Sequence, residues 1–431
     1  MRPLKAIGQA GGVGDAPINN WPYIIGRSVS AERKPVTASA RPPLEGITVV
    51  SLEQAVAAPF ATRQLADLGA RVIKIERPEV GDFARRYDES VLGQSSYFVW
   101  LNRSKESLTL DLKSDRGREI LERLVAGADV LVQNLGPGAT ARLGLDADSL
   151  ARRYPDLIVC DISGYGSGGS STDRKAYDLL VQAETGLLSL TGPPETPAKV
   201  GISVADIAAG MYAYSGVLTA LLHRLRTGVA TPVRVSLFDA LTEWMGSPLY
   251  YTDNSGNQPA RFGAEHATVA PYGPFDTADG TVLLAIQNER EWAAFCTEVL
   301  EDPALATDAR FATNSARVAH RAECNALITA RLSTLTTAQT YALLDRTGVA
   351  NAQMNSVAEF LDHPALVERD RWREIQTPAG PIRAPLPPAI LGGVPAVMGP
   401  IPDVGAHTTD ILAELGYTDA DIARLRADRT I

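Results

Sequence analysis

A single carboxylate, Asp206, stands directly ahead of a long uncharged run from Ile207 to Leu222. The run predicts a buried helix that begins at Asp206. One use of the carboxylate there is to accept a hydrogen bond from a free amide of the first helical turn. Another is to act as a nucleophile that the positive end of the helix helps to keep ionised. The residues around Asp206 leave both interpretations open.

The elements that would hold Asp206 follow the pattern of an α/β protein. Buried-strand runs cover residues 47–52, 71–76, 129–132 and 157–160, and helical spacing covers residues 60–68, 115–126 and 147–153. Strands that alternate with helices predict a mostly parallel sheet covered on both faces. The turn after the first strand has no GxGxxG pattern, which disfavours a redox dinucleotide.

A second, smaller domain is predicted to follow Trp244. The chain becomes turn-rich at residues 254–259, and residues 274–285 then have the pattern of a hairpin. Helices are predicted near residues 289–300 and 337–347, and a tail helix over residues 408–415. The proline-rich segment from Pro378 to Pro400 is typical of a linker.

Composition limits the class of protein further. A chain of 431 residues, 45% of them hydrophobic, can bury a large core and is expected to form two domains. The net charge of -9, without a basic block, disfavours nucleic acid as a partner. The three cysteines, at positions 160, 296 and 324, lack CxxC spacing, so we expect no zinc site, no disulfide framework and a reducing, cytoplasmic setting.

No membrane partner and no signal peptide are expected either. The uncharged run after Asp206 has 16 residues and is interrupted by Gly210 and Gly216, which is short for a membrane span. The first 40 or so residues lack the compact apolar core of a signal peptide and are predicted to be an extension.

The chain contains four ordered motifs, which are PLEG at residues 43–46, LADLGARVIKIERP at 65–78, NLGPG at 134–138 and GYG at 164–166. They resemble motifs of the family III CoA-transferases, the CaiB/BaiF family, and Asp206 stands where this family has its catalytic aspartate. The resemblance implies a Rossmann-like large domain with a mostly parallel sheet, a smaller α+β domain and an interlocked homodimer. It divides the chain into an N-terminal extension (1–42), the first part of the large domain (43–245), the small domain with linkers (246–370), and a return linker with the C-terminal completion of the large domain (371–431).

The resemblance also implies a CoA site at successive strand ends. Small residues there would allow close backbone approach, and basic residues would meet the CoA phosphates. Taken singly, the same residues are equally typical of tight turns, solvated surface or helix core. The implied CoA-binding residues are Val56, Ala57, Arg77, Leu110, Lys113, Asn134, Leu135, Gly136, Arg142, Lys175, Ala176 and Tyr177.

Acceptor binding is assigned, again by resemblance, to Arg85, Arg86, Tyr87 and His266. A pair of cations suits a dicarboxylate such as succinate, mesaconate, itaconate or malate. The alternative for two adjacent arginines is a solvated face, and the alternative for His266 is a loop cap.

The implied reaction is CoA transfer from an acyl-CoA to a carboxylic acid, through an aspartyl mixed anhydride and an aspartyl-CoA thioester at Asp206. It needs no metal and no permanently bound cofactor. Related α-methylacyl-CoA racemases carry a histidine at the position of Tyr177, whereas this chain has no histidine before His223. Because racemisation needs two proton-transfer groups, a transferase is favoured, and a racemase or a non-catalytic acyl-CoA-binding homologue remain alternatives.

Overall fold

Residues 41–431 are described by a computed structural model, and they contain a six-stranded sheet in which every neighbouring pair of strands is parallel. The predicted α/β fold is confirmed. The strands are β1 Thr48–Leu52, β2 Arg71–Glu76, β3 Lys105–Thr109, β4 Val130–Gln133, β5 Ile158–Ser163 and β6 Val233–Ser236. Their order is β3-β2-β1-β4-β5-β6, so successive strands are added towards one edge of the sheet up to β3 and towards the other edge from β4 onward. Ligands of such sheets bind outside the carboxyl ends of the strands at the switch point, which here lies between β1 and β4.

Helices cover both faces of this sheet. The first eight are α1 Ala57–Asp67, α2 Ser96–Leu101, α3 Asp115–Ala126, α4 Ala139–Leu143, α5 Ala147–Arg153, α6 Asp178–Glu184, α7 Val204–Thr227 and α8 Leu237–Trp244, and the last two are α16 Thr408–Glu414 and α17 Asp419–Ala427.

Two hydrophobic cores lie on the two faces because side chains alternate along each strand. Val49 belongs to a core with α1, α7 and α8, whereas its neighbour Val50 belongs to a second core with α3 and α5. The C-terminal helices α16 and α17 add Ile411 and Ile422 to the second core.

Helix α7 contains the uncharged run that follows Asp206. By length and composition it is the one described helix that could cross a membrane. Its small side chains, such as Ala209 and Ala213, are instead fully buried in the first core, where α7 packs on α1 and α8. The opposite face leaves Leu222 and Leu225 exposed. Helix α7 is therefore buried in the core on one face and exposed on the other.

The part of the chain that follows α8 and precedes the proline-rich segment has a hydrophobic core of its own. It is built around Phe275, Val282, Trp292 and Phe295 on a three-stranded antiparallel sheet, and the predicted hairpin and the two predicted helices are present there. The elements are α9 Gly246–Ser255, β7 Tyr272–Asp276, β8 Thr281–Ala285, α10 Glu289–Glu298, α11 Asn314–Ala319, α12 Arg321–Leu332, α13 Thr337–Thr347, β9 Ala350–Ala352, α14 Val357–Phe360 and α15 Pro364–Val367.

The prediction of a linker over residues 378–400 is wrong in part. Within it, β11 Gly380–Pro385 pairs in antiparallel register with β10 Trp372–Thr377. Ile375 and Ala384 from this ribbon pack with Phe98 in a small core of their own. Two-stranded ribbons have only edge strands, which tolerate proline, so the prolines did not prevent pairing.

Three further expectations stay predictions. The N-terminal extension, residues 1–42, lies almost wholly outside the described residues. The exact domain boundaries and the interlocked homodimer are not tested by a single chain.

Candidate active site

A cavity of about 740 Å³ opens at the carboxyl edge of the parallel sheet. It lies outside the ends of β1, β4 and β5, which is the switch point where open α/β sheets bind ligands. The lining consists of residues 54–57, 134–137, 162–164, 172, 174–179, 203, 206 and 237, together with the rings of Phe83, Tyr87 and Tyr97.

The loop after β1 forms one wall of the cavity and is held from the neighbouring strand end. The Asn134 side chain accepts a hydrogen bond from the Gln54 amide (2.9 Å) and donates one to the Gln54 carbonyl (2.8 Å). Helix α1 then begins after Val56, whose apolar side chain caps none of the first-turn amides. Such amides have no partner within the helix and are suited to binding an anion.

Helix α7 reaches this loop because residue 210 is glycine. A Cβ on Gly210 would lie 2.7 Å from the carbonyl oxygen of Ala57 and 3.0 Å from the ring of Phe60, too close for any other residue without movement of the backbone. Asp206 lies one helical turn before Gly210. The close approach of α7 to α1 therefore brings the carboxylate to the wall formed by Val56 and Ala57.

The prediction that Asp206 begins the helix as its cap is wrong. Helix α7 begins at Val204, and its cap residue Ser203 makes no side-chain hydrogen bond. A carboxylate from another helix takes that role: Asp178 Oδ1 accepts from the Ala205 amide at 2.7 Å and from the Asp206 amide at 3.5 Å. The oxygens of Asp206 are thus not used for capping.

The expectation that the helix keeps Asp206 ionised is also corrected. Burial, together with a smaller contribution from the nearby charge of Asp178, raises the pKa of Asp206 to about 7. No hydrogen bond to the carboxylate from residues 41–431 opposes the shift. The helix amides that would have favoured the charged form are bonded to Asp178. Asp206 is therefore a desolvated carboxylate that titrates near neutrality.

A second wall is formed by the segment from Lys175 to Tyr177. A Cβ on Gly164 would lie 2.3 Å from the Cβ of Ala176, so glycine at the end of β5 lets this segment lie against the strand. Tyr177 projects with 65% of its surface exposed, and Lys175 is exposed beside it. The segment thus offers an aromatic ring and a cation at the cavity.

Aromatic rings form a third wall. Tyr87 stands at 5.8 Å from Phe83 and at 5.4 Å from Tyr97, measured between ring centroids. Burial raises the pKa of Tyr87 to about 12, with further contributions from Asp82 and Asp206. The phenol therefore stays neutral and close to the Asp206 carboxylate.

Eight of the twelve predicted CoA residues line the cavity, and four do not. Arg77 is exposed at the end of β2, where its guanidinium donates to the carbonyl of Gly81. Leu110 is buried in the second core, and Lys113 and Arg142 are exposed away from the lining. Their contacts with CoA stay predictions. The eight that line it are Val56, Ala57, Asn134, Leu135, Gly136, Lys175, Ala176 and Tyr177.

Of the predicted acceptor residues, the structure brings only Tyr87 to the cavity. The guanidinium of Arg85 is paired with both oxygens of Glu76 at 2.9 and 2.7 Å and lies 3.6 Å from the ring centroid of Phe98. Burial alone would raise the pKa of Glu76, but Arg85 and neighbouring donors outweigh it and lower this pKa to about 2. Arg85 is thus engaged within the protein, and Arg86 is exposed outside the lining.

His266 lies outside the cavity lining and closes a loop. Its ring stacks on Tyr272 with centroids 5.2 Å apart, and its Nδ1 accepts a hydrogen bond from the Thr268 amide. Of the two interpretations of His266, the structure contains the contacts of the loop cap.

Comparison with known proteins identifies the family. The chain matches CoA-transferase family III over residues 44–408. It belongs to this family. Over 385 residues it is 34% identical to the succinate–glutarate CoA-transferase of Agrobacterium fabrum, which covers 87% of this chain and 96% of that one. Over 404 residues it is 32% identical to the succinyl-CoA–D-citramalate CoA-transferase of Chloroflexus aurantiacus, covering 91% and 100%.

A solved structure agrees with this assignment. A CaiB/BaiF family protein from Brucella suis is 34% identical to this chain, with a TM-score of 0.76 over 87% of this chain and 100% of that one. The protein is therefore a CoA-transferase of family III, an enzyme that uses CoA thioesters as substrates.

The histidines of this CoA-transferase bear on the racemase alternative. The chain has five, at positions 223, 266, 320, 363 and 407, and none of them lines the cavity that holds Asp206. Tyr177, the position at which the resemblance implies a histidine in racemases, is exposed and lines the same cavity.

Sequence reasoning missed several lining residues of the CoA-transferase. Asp178 is the most consequential, because it caps α7 and raises the pKa of Asp206. Its sequence position, next to Tyr177 and ahead of a helix, was the available signal, but a cap supplied from another helix has no local pattern. Gln54, Phe83, Tyr97 and Arg174 were also missed.

Proposed function

We propose that this family III enzyme moves CoA from an acyl-CoA thioester to a dicarboxylic acid, with Asp206 as the covalent nucleophile. One observation carries the proposal: a half-buried carboxylate without a hydrogen-bond donor among residues 41–431 lines the cavity at the switch point of the sheet. A carboxylate that is desolvated and free of donors is well suited to attack a thioester.

The transfer has four steps. An Asp206 oxygen attacks the thioester carbonyl carbon, the C–S bond breaks, and CoA thiolate leaves behind a mixed anhydride. The thiolate attacks the Asp206 carboxyl carbon, so that the donor acid departs as a carboxylate and an aspartyl-CoA thioester forms. The acceptor carboxylate displaces the thiolate to form a second anhydride. The thiolate then attacks the acceptor acyl carbon, which yields the new acyl-CoA and restores Asp206.

Each of these steps passes through a tetrahedral intermediate with negative charge on a former carbonyl oxygen. This oxygen belongs to the acyl group bound to Asp206 in the first and last steps, and to the Asp206 carboxyl itself in the second and third. We assign the stabilisation of this charge to two backbone amides at the start of α1, those of the cap residue Val56 and of the first helical residue Ala57. Helix α1 presents them without a side-chain cap, at the wall that Asp206 faces. Preorganised amides of this kind are often worth several kcal/mol in acyl transfer.

Dicarboxylates are the acceptor class that we favour. The relatives in Agrobacterium fabrum and Chloroflexus aurantiacus are named for succinate, glutarate and D-citramalate. Since Arg85 is engaged by Glu76, the cations left at the cavity are Arg174 and Lys175. Arg174 is paired with Glu184, so among residues 41–431 Lys175 is the lining cation without an ion-pair partner, and we assign to it the contact with a second carboxylate or a CoA phosphate.

The testing experiment supplies succinyl-CoA and a panel of acids to the purified enzyme and follows new acyl-CoA by liquid chromatography. We expect glutarate or a similar dicarboxylate to exceed butyrate by at least about tenfold in kcat/KM, as the loss of one charged contact would dictate. Hydroxylamine should convert the intermediate into a hydroxamate on the tryptic peptide that contains Asp206. Transfer to no acid, or exchange of the α-proton without transfer, would contradict the proposal.

A homodimer is proposed as the active form. Helices α7 to α9 leave large apolar side chains exposed, among them Leu225 (83% exposed), Tyr250 (75%) and Trp244 (48%). Apolar patches of this kind on one chain typically mark a protein interface. Sedimentation velocity at micromolar concentration should give twice the mass of the chain, and Leu225→Glu with Tyr250→Glu should lower it. A monomer at all concentrations would refute the dimer.

A further inference from the structure

Asp82 connects three parts of the protein through one buried carboxylate. Its Oδ1 accepts hydrogen bonds from the amides of Ala55 (3.2 Å) and Ala84 (2.9 Å), and its Oδ2 lies 2.8 Å from Lys74 Nζ. The residue is only 2% exposed. Asp82 itself does not line the cavity, but the two segments to which it is hydrogen-bonded, at Ala55 and at residues 83–87, contain lining residues.

Lys74 is an unusual anchor for this carboxylate. It occupies the middle of β2, is completely buried, and also lies 3.3 Å from Glu53. Burial alone would lower the pKa of Lys74, yet the charges of Asp82 and Glu53 raise it above its usual value. Apolar residues of similar volume are often at least as stabilising as a buried ion pair. The pair with Asp82 therefore calls for an explanation other than stability.

The conformation of the loop at Ala55 provides an explanation for the buried pair. Ala55 has a φ of +61°, in the left-handed region that alanine avoids by about 1–2 kcal/mol. It stands between Glu53, which is bonded to Lys74 and to Lys105, and Val56, which lines the cavity. The hydrogen bond from the Ala55 amide to Asp82 is a contact that holds this conformation.

The aromatic wall of the cavity is also connected to the Asp82 carboxylate. Asp82 caps the short helical turn Phe83–Arg86 by accepting from the Ala84 amide. Phe83 and Tyr87, at the two ends of this turn, both line the cavity. One carboxylate is thus hydrogen-bonded both to the loop after β1 and to the turn that carries the aromatic wall of the cavity.

We infer that Asp82, fixed by its buried pair with Lys74, is a positioning residue for the CoA-binding cavity: it holds Ala55 in the left-handed conformation and starts the turn that carries Phe83 and Tyr87. The inference rests on the proposed function of the cavity. Asp82 touches no reacting atom and acts through the backbone of these two segments.

The test compares Asp82→Ala with the double variant Asp82→Ala, Ala55→Gly. Loss of the acceptor should let the loop relax, and displacements of about 1 Å near a reacting group can cost about 100-fold. We expect kcat/KM of Asp82→Ala to fall about 30- to 100-fold. Because glycine adopts positive φ without a steric penalty, the second substitution should recover at least about fivefold. Asp82→Asn, which keeps an acceptor oxygen, should lose less than Asp82→Ala.

Asp67→Ala is the matched control. Asp67 is equally buried at 2% exposed and is paired with Arg103 through both oxygens at 2.7 Å, but it lies outside the cavity lining. We expect this variant to lower Tm while the folded fraction keeps its kcat/KM. The inference is overturned if folded Asp82→Ala stays within about twofold of wild-type kcat/KM, or if Ala55→Gly recovers nothing.

Binding of CoA by calorimetry separates this inference from the proposed function. If the wild-type enzyme transfers CoA to no acid, the proposed function fails, and the affinity for CoA then decides the role of Asp82. At least a tenfold weaker Kd in Asp82→Ala supports positioning, whereas an unchanged Kd refutes it.

Discussion

Replacing Asp206 by alanine should abolish CoA transfer, with kcat reduced by about 10⁴-fold or more. Removal of a covalent nucleophile commonly costs this much, because what remains is binding and oxyanion stabilisation. Steady-state transfer from succinyl-CoA measures the loss, and CoA affinity should change little. The hydroxamate formed with hydroxylamine should disappear from the Asp206 peptide.

The variant Asp206→Asn should in addition be more stable than the wild type at pH 8. The folded-state pKa of Asp206 is raised from an ordinary 3.8 to about 7, so the folded protein binds this proton more tightly than the unfolded chain. The wild type therefore loses stability as the pH rises from about 4 to about 7, by up to about 4 kcal/mol at 1.36 kcal/mol per pKa unit. Thermal unfolding at pH 8 should show the gain, and it should vanish near pH 4.

Asp129→Asn is the control for the measurement of CoA transfer. Asp129 precedes β4 at the opposite, amino-terminal edge of the sheet, where it binds the Thr48 amide and Arg224. Its substitution should leave transfer unchanged. Asp206 variants that transfer CoA as fast as the wild type would contradict the assignment of the nucleophile.

Asp178→Asn should shift the pH dependence of transfer to lower pH. Burial raises the pKa of Asp206 most, and the charge of Asp178 adds to it; the amide removes this charge but keeps an oxygen for the Ala205 amide. At pH 6, a carboxyl with a pKa of about 7 is only about one-tenth ionised. We therefore compare the ratio of kcat/KM at pH 6 to its maximum over all pH values. This ratio should be a few-fold, and at most about tenfold, higher in the variant than in the wild type.

Asp178→Ala distinguishes the charge from the cap. It removes both, so it should shift the pH profile in the same direction and also lower stability by about 1 kcal/mol, the usual cost of a lost helix cap. A pH profile of Asp178→Asn that superimposes on that of the wild type would show that Asp178 does not set the ionisation of Asp206.

The strands and helices around these two carboxylates could be predicted where the local sequence has a recognisable apolar pattern. Strands β1, β2, β4 and β5 are short apolar runs, and they were predicted within two or three residues of their observed ends. Strand β3 was missed because its five residues, KESLT, contain two charges. Lys105 in this strand is buried against Glu53, and burial lowers its pKa to about 7 despite this partner. A buried ion pair is invisible to a search for apolar runs.

Roles that depend on a distant partner could not be predicted. The adjacent Arg85 and Arg86 suggested an acceptor site, but Arg85 forms an ion pair with Glu76 instead. Asp206 looked like a helix cap because the sequence gives no sign that Asp178, 28 residues earlier, supplies the cap instead. Local patterns are blind to such pairings, because the two partners meet only after the sheet and its helices have packed.

The sequence by itself determined the α/β class, most of the strands at the switch point, and membership of the family through ordered motifs that end at Asp206. These features depend on apolar periodicity and on short segments, which a single chain carries along its length. Only the tertiary structure decided the chemistry of Asp206. The pKa near 7, the Asp206 oxygens that accept no hydrogen bond within the described part of the chain, and the neighbouring amides at the start of α1 all arise from the approach of α7 to α1 and α6, which Gly210 permits and Asp178 completes.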